Sequence, residues 1–303
     1  MKKVYINRRP VLGPWGGGNK FVKALSDELK KSGISVSYEL SPEIDVIFCF
    51  DPRPDKEGIW YQDFLNHKSK FGTKIIQRVG DVGSHSKPDL TKLVIESVKC
   101  SDHIIFPSLW SKEYIGFDQD NFSIIPNAPL GDFYNYRKNN TTANKPLKVI
   151  THHWSMNTKK GFEIYSFLGE QIKSNRLCDV EFTYVGRYNR DFSSAGVKIL
   201  SPVDTKSLTE ILPKYDLYLT ASLEEAGANH VLEAMACGLP VLYRKGGGSI
   251  EEYCKDHGEM YENAEEMLEK IKNYMNKKWN SPSYSKSIED TIAEYLFTLK
   301  NTK

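Results

Sequence analysis

Two tandem Rossmann-like α/β domains facing across a cleft are what this sequence predicts, and three observations carry that expectation. Short β-rich runs recur with helical or irregular stretches between them, the series starts afresh after a polar segment that carries a proline, and 303 residues suit two domains of ordinary size better than one.

The first series of strands reads Lys3–Ile6, Ile34–Tyr38, Asp45–Phe50, Lys74–Val79, His103–Phe106 and Phe122–Ile125. Its first helix is marked by Phe21, Val22, Leu25 and Leu29 on one face, and Gly33 stands where a helix would stop. The N-terminus of that helix therefore follows strand one through the stretch Gly13 to Lys20, which includes Gly16, Gly17 and Gly18. From Asn139 to Pro146 the composition turns polar, as expected of an interdomain linker, and the domains are placed at 1–143 and 144–303. A second series follows, with strands near Lys148–Thr151, Glu181–Val185, Val197–Leu200, Leu217–Thr220 and Val241–Tyr243. Helices are expected near Gly161–Lys173, Ser207–Pro213, Asn229–Cys237 and Ala264–Met275. The tail Ser287–Leu299 carries Ile288, Ile292, Tyr295 and Leu296 at helical spacing, and this last helix is free to pack back on the first domain. Doubly wound domains bind ligands at the carboxyl ends of their strands, so the ligand cleft is expected where those ends face each other.

Composition narrows the function. Lys plus Arg is 41 against 39 for Asp plus Glu, and a net charge of +2 provides no field to gather nucleic acid, so none is expected as a partner. Cys49, Cys100, Cys178, Cys237 and Cys254 are scattered and never in a C-x-x-C spacing, which favours a reducing cytosol over a disulfide framework or a zinc knuckle. The start Met1-Lys2-Lys3 lacks the apolar stretch of a signal peptide, and no apolar run approaches a membrane span. A cytoplasmic protein with no integral membrane segment is expected, with peripheral membrane contact left open.

The most informative stretch runs from Glu225 through Glu233 to Val241, directly after the strand-like Leu217–Thr220. Two glutamates eight positions apart are followed by Ala234-Met235-Ala236, then Gly238, Pro240 and Val241. In this compound pattern the sequence resembles the family 4 (group 1) retaining glycosyltransferases with the GT-B fold. The resemblance implies that Glu233 binds the nucleotide ribose hydroxyls and Glu225 the hydroxyls of the donor sugar. A physical reason stands beside it, because carboxylates accept paired hydrogen bonds from vicinal diols. The residues between the two acids begin a helix whose N–H groups are placed to hold a diphosphate. The family usually has Gly-Phe-Gly after the first Glu, whereas this sequence reads Ala226-Gly227-Ala228, with Asn229 and His230 at the helix start as either donor-site or capping residues.

Upstream, Thr151 to Phe162 forms the first strand-to-helix loop of the second domain. Relatives carry Gly-Arg there and, five residues on, Lys-Gly, with the Arg and Lys clamping the diphosphate. Lys160-Gly161 matches, but His153-Trp154 stands in place of Gly-Arg. Ser155, Asn157, Lys159, Arg244 and Lys245 are candidates to compensate, and Trp154 either lines the donor site or packs as an aromatic wall. Arg244 to Glu252 contains Gly246, Gly247 and Gly248 ahead of a helix, a turn whose N–H groups can approach a phosphate or sugar closely. By resemblance, the Gly16–Gly18 loop closes on the donor phosphate from the first domain, which is the acceptor side, while the second domain is the donor side. Without a Gly-Lys-Ser/Thr ending the loop is not a P-loop. Arg78 and Asp81 end a strand at the acceptor side, with Asp81 also a catalytic candidate beside Glu225 and Lys160; an ion pair between the two is the competing reading. The histidines form no metal-binding helix motif and no Asp-x-Asp triplet is present, so neither a metal nor a cofactor is expected.

The expected activity is transfer of a sugar from a nucleoside-diphosphate sugar to the hydroxyl of a glycan, lipid-linked or small-molecule acceptor. By analogy, it is a retaining step in polysaccharide or glycoconjugate synthesis. The rivals are a sugar-nucleotide epimerase of the same fold and a non-catalytic nucleotide-sugar-binding protein.

Overall fold

Runs of Val, Ile, Leu, Phe and Tyr that are buried on both faces form the central strands of two parallel six-stranded sheets in the computed structural model of the chain. The structure describes residues 3–11, 17–136, 146–276, 282 and 284–302. The chain divides into two compact units, residues 1–127 with 288–303, and residues 128–287. The boundary expected between 143 and 144 lies outside the described residues.

In the first unit the elements run β1 (Lys3–Ile6), α1 (Gly17–Lys31), β2 (Ser35–Ser37), β3 (Val46–Cys49), α2 (Tyr61–Phe71) and β4 (Lys74–Arg78). They continue with α3 (Pro88–Cys100), β5 (His103–Phe106), α4 (Leu109–Tyr114) and β6 (Phe122–Ile124). The sheet order is β2-β1-β3-β4-β5-β6, with Val4 paired to both Val36 and Val46, so the sheet reverses direction at β1 and β3. Local chemistry sets the helix ends. Pro88 opens α3 where a missing N–H costs nothing, and Gly72 closes α2 with φ at 70°, its N–H donating to the Lys68 carbonyl.

The second unit carries β7 (Leu147–His153), α5 (Phe162–Lys173), β8 (Val180–Gly186), β9 (Val197–Leu200), α6 (Thr205–Ile211) and β10 (Leu217–Thr220). These are followed by α7 (Asn229–Ala236), β11 (Val241–Arg244), α8 (Ser249–Cys254), β12 (Gly258–Tyr261) and α9 (Ala264–Tyr274). The order β12-β11-β10-β7-β8-β9 is that of a dinucleotide-binding sheet, whose direction switches between β7 and β10. Edge strand β12, Gly-Glu-Met-Tyr, is absent from the strands expected from sequence, because half of it is polar or glycine and it is defined by pairing with β11 from Val241↔Gly258 onward.

The core of this unit is rich in tyrosine, and its phenols satisfy the sheet margins. Tyr274 Oη donates to the Asp216 carbonyl at 2.7 Å and Tyr261 Oη to the Thr220 carbonyl at 3.1 Å. The last helix, α10 (Ile288–Asn301), returns to the first unit, where the Tyr295 ring meets Phe21 of α1 at 4.8 Å.

Candidate active site

β7 delivers two histidines to the switch point in different ways. Alternation along the strand leaves His152 half-buried and sends His153 into the core. His152 Nε2 lies 2.9 Å from Glu233 Oε2 on α7, and its Nδ1 lies 3.1 Å from the Tyr218 hydroxyl on β10. A Tyr218–His152–Glu233 chain thus spans the two strands that flank the switch point. His153 Nε2 lies 2.7 Å from the Tyr165 hydroxyl, which also accepts the Ala221 N–H at 2.9 Å. Burial pushes the Tyr165 phenol up to about 12, so it stays protonated and its one proton is available to His153.

The loop after β7 is folded by its own side chains. Ser155 Oγ accepts from Asn157 N–H at 3.2 Å, and Asn157 Oδ1 accepts from Lys159 N–H at 2.9 Å, starting the 3-10 turn Thr158–Lys160. Gly161 ends the turn with φ at 78°, and a Cβ there would lie 2.4 Å from both the Cβ and the carbonyl oxygen of Ala221. Only glycine lets this loop lie against the end of β10. The contact is continued by Leu223 N–H donating to the Lys159 carbonyl at 2.8 Å.

Two ion pairs follow from it. Lys160 bonds the Glu225 carboxylate and Lys159 bonds Glu224. The first pair is well buried, with side chains 10% and 13% exposed, while the second is about one-third exposed. Glu224 takes a left-handed φ of 53°, an uncommon choice for a glutamate, and sends its N–H to the Gly246 carbonyl at 2.9 Å. Glu225 then forms a bridge to Gly248: its N–H donates to the Gly247 carbonyl at 3.1 Å and its carbonyl accepts from Ser249 N–H at 2.9 Å. The Gly246–Gly248 turn is therefore tied to the Glu225 segment. Ser249 Oγ accepts from Ala228 N–H at 3.0 Å, and Ala228 caps α7 with no side-chain hydrogen bond.

The sequence-predicted residues fall into three groups. Lys160, Glu225, Gly227, Ala228, Asn229, His230, Glu233 and Gly247 cluster in the second unit around the carboxyl ends of β7, β10 and β11. His230 Nε2 lies 3.1 Å from Thr220 Oγ1, and its ring is 5.1 Å from that of His153. Trp154 is 43% exposed, so the aromatic-wall reading in which it is packed away does not hold; the Arg187 guanidinium lies over its ring at 4.2 Å. Arg244 pairs with Glu163 at 2.5 Å and Lys245 with Glu262 at 2.6 Å.

In the first unit, Gly16 lies outside the described residues, Gly17 opens α1, and a Cβ on Gly18 would press on Phe50 at 3.1 Å. Arg78 and Asp81 are not an ion pair. Arg78 donates to Asn127 Oδ1 at 3.0 Å and lies against the stacked Phe21 and Phe50 rings, 4.8 and 5.1 Å from their centroids, whereas Asp81 pairs with Lys87 at 2.6 Å. Partial burial works against the Asp81 carboxylate, but Lys87 and the Gly83 N–H prevail and hold its pKa below the ordinary value.

Tyr165, Tyr218, His152, Ser249 and Arg187 are site residues that sequence reasoning passed over. The helical spacing of Phe162, Tyr165 and Leu168 marks a buried face but not the partner of the phenol. Among the described residues no group of three or more His, Cys, Asp or Glu side chains has metal-binding geometry, and no helix is long and apolar enough to cross a membrane.

Residues 149–277 match the family model described as glycosyl transferases group 1. No curated protein matches the chain. Among solved structures, the Anabaena protein HepE, in complex with UDP and glucose, superposes with a TM-score of 0.67 at 15% identity, covering 99% of both chains. Sucrose-phosphate synthase from Thermosynechococcus elongatus gives 0.65 at 13% identity, over 99% of this chain and 95% of that one. The lipopolysaccharide outer core galactosyltransferase WaaB gives 0.67 at 14% identity, over 100% and 99%. At such identities the likeness concerns the fold, which is the GT-B arrangement of two Rossmann-like sheets.

Proposed function

We propose that this chain is a glycosyl transferase that moves a sugar from a nucleoside-diphosphate donor to an acceptor hydroxyl and keeps the anomeric configuration, a reading supported by the match of residues 149–277 to the group 1 glycosyl transferases. The observation that carries the reading is the meeting of Glu225, Lys160, Glu233 and the start of α7 around the switch point of a sheet with dinucleotide-binding order.

Each group has a role that its chemistry fits. Glu233, with Oε2 engaged by His152, accepts from the ribose hydroxyls through its other oxygen. The N-terminal turn of α7 and the Lys160 ammonium take the diphosphate, whose charge grows as the anomeric bond breaks. Glu225 accepts from the sugar hydroxyls and is not the nucleophile of a double displacement, since its charge is already shared with Lys160. The departing diphosphate oxygen then lies on the face that the acceptor enters and takes the acceptor's proton, so no side-chain base is required. Lys160 and the helix N–H groups supply the positive charge that a metal would otherwise bring. The pathway is the assembly of a polysaccharide or glycoconjugate, in the cytoplasm.

A thermal-shift screen against nucleotide sugars finds the donor, because a ligand that binds only the folded state raises its apparent stability. Anomeric proton couplings of the product by NMR then test retention; an inverted centre would refute the mechanism.

A further inference from the structure

We infer that Arg187, held over the Trp154 ring, is the second cation of the diphosphate site and acts together with Lys160. The inference rests on the reading that the second unit holds a nucleoside-diphosphate sugar. A departing diphosphate carries more negative charge than one ammonium can balance, and Lys160 already shares its charge with the buried Glu225 carboxylate. A further cation is needed near the carboxyl ends of the central strands.

The loops leaving those ends offer few. Lys159 is bonded to Glu224, Arg244 to Glu163, Lys245 to Glu262, and Arg190 lies 3.9 Å from Asp191. Among the described residues Arg187 forms no ion pair, and its guanidinium carbon lies 4.2 Å from the centroid of the Trp154 ring. The placement is built by the backbone. Arg187 directly follows the last residue of β8, Trp154 directly follows the last residue of β7, and Arg187 N–H donates to the His153 carbonyl at 3.1 Å. Gly186 makes that approach feasible: its φ is 131°, and a Cβ would stand 1.9 Å from the His153 carbonyl oxygen.

The cation–π contact is what makes this arginine suitable. With its guanidinium carbon 4.2 Å from the indole centroid and no carboxylate partner among the described residues, the group keeps its fork of N–H donors for a bidentate phosphate contact. Holding the fork in place before the ligand arrives reduces the side-chain entropy lost on binding. Trp154 is the positioning residue and acts through Arg187.

The test is calorimetry on the full chain with UDP, GDP, ADP and TDP, their parent nucleosides, and inorganic pyrophosphate. The wild type is expected to bind at least one nucleoside diphosphate. Arg187→Ala is expected to weaken the best of them and pyrophosphate by about tenfold or more, as for a lost charge-assisted bond, with nucleoside affinity within about twofold of wild type. Trp154→Ala is expected to lose less, Arg187→Lys to restore part of the affinity, and Arg190→Ala to change nothing. Diphosphate affinity unchanged in Arg187→Ala, or an equal loss for diphosphate and nucleoside, would overturn the role of Arg187 while leaving the site reading in place. A wild type that binds no nucleoside diphosphate would overturn both.

Discussion

Breaking the Lys160–Glu225 pair one side at a time is expected to cost far more than removing it whole. Both side chains are about nine-tenths buried, so Lys160→Met strands a carboxylate and Glu225→Gln strands an ammonium in a site with little water. Truncating one partner of a buried pair typically costs about 3–5 kcal/mol, whereas neutral replacement of both is close to balanced. For a unit of about 160 residues, at about 2–4 °C per kcal/mol, each single variant should melt about 6–20 °C below wild type. The double variant Lys160→Met/Glu225→Gln should recover much of that loss, giving a coupling of about 2 kcal/mol or more in a double-mutant cycle. Urea unfolding of the four proteins measures it. Single losses that add to within about 0.5 kcal/mol would refute the pairing, and with it the argument that Glu225 is held as a binder rather than a nucleophile.

Other expectations follow from neighbouring contacts. Glu233→Ala removes the carboxylate bonded to His152 and should weaken nucleoside-diphosphate binding by about 10- to 150-fold, or about 1.5–3 kcal/mol; unchanged affinity by calorimetry would remove it from the ribose role. Tyr165→Phe leaves the buried Ala221 N–H without its acceptor and should cost about 1–3 kcal/mol in urea unfolding, and a neutral result would mean that another acceptor moves in. Lys87→Met removes the main partner of Asp81. Because the folded pKa of Asp81 is depressed, the stability from this pair is full above its unfolded value of about 3.8 and is lost as pH falls through the folded value. The variant should therefore be less stable than wild type by about 0.2–1 kcal/mol near neutral pH and equal to it in strong acid, and a gap that persists in acid would assign the effect elsewhere. Transfer should survive chelator; loss with chelator and recovery with magnesium or manganese would defeat the metal-free mechanism.

Much of the fold was legible because parallel strands buried on both faces read as near-continuous apolar runs, and eight of the twelve described strands are of this kind and recur at βα spacing. The half-polar edge strand β12 was not, since pairing with β11 rather than its own composition makes it a strand. Two site acids were legible because the whole string from Glu225 to Val241 is specific where a lone Glu pair is not. What sequence spacing could not supply is the contact between segments far apart in the chain. Lys160 meets Glu225 across 65 residues, His152 meets Glu233 across 81, and Arg187 reaches Trp154 from a different strand. Arg78 and Asp81 show the reverse error. Three positions apart at a strand end, they invite pairing, yet burial sets the arginine against two stacked phenylalanine rings while the aspartate finds a lysine.

Transfer from a nucleoside-diphosphate sugar to an acceptor hydroxyl is measured most directly as acceptor-dependent release of nucleoside diphosphate across a matrix of donor sugars and glycan, lipid-linked and small-molecule acceptors. At least one donor is expected to release its nucleoside diphosphate only when the acceptor is present, with the sugar recovered on that acceptor and with release abolished in Glu225→Gln and Lys160→Met. Donor converted equally well without any acceptor, or bound donor released with none, would contradict it.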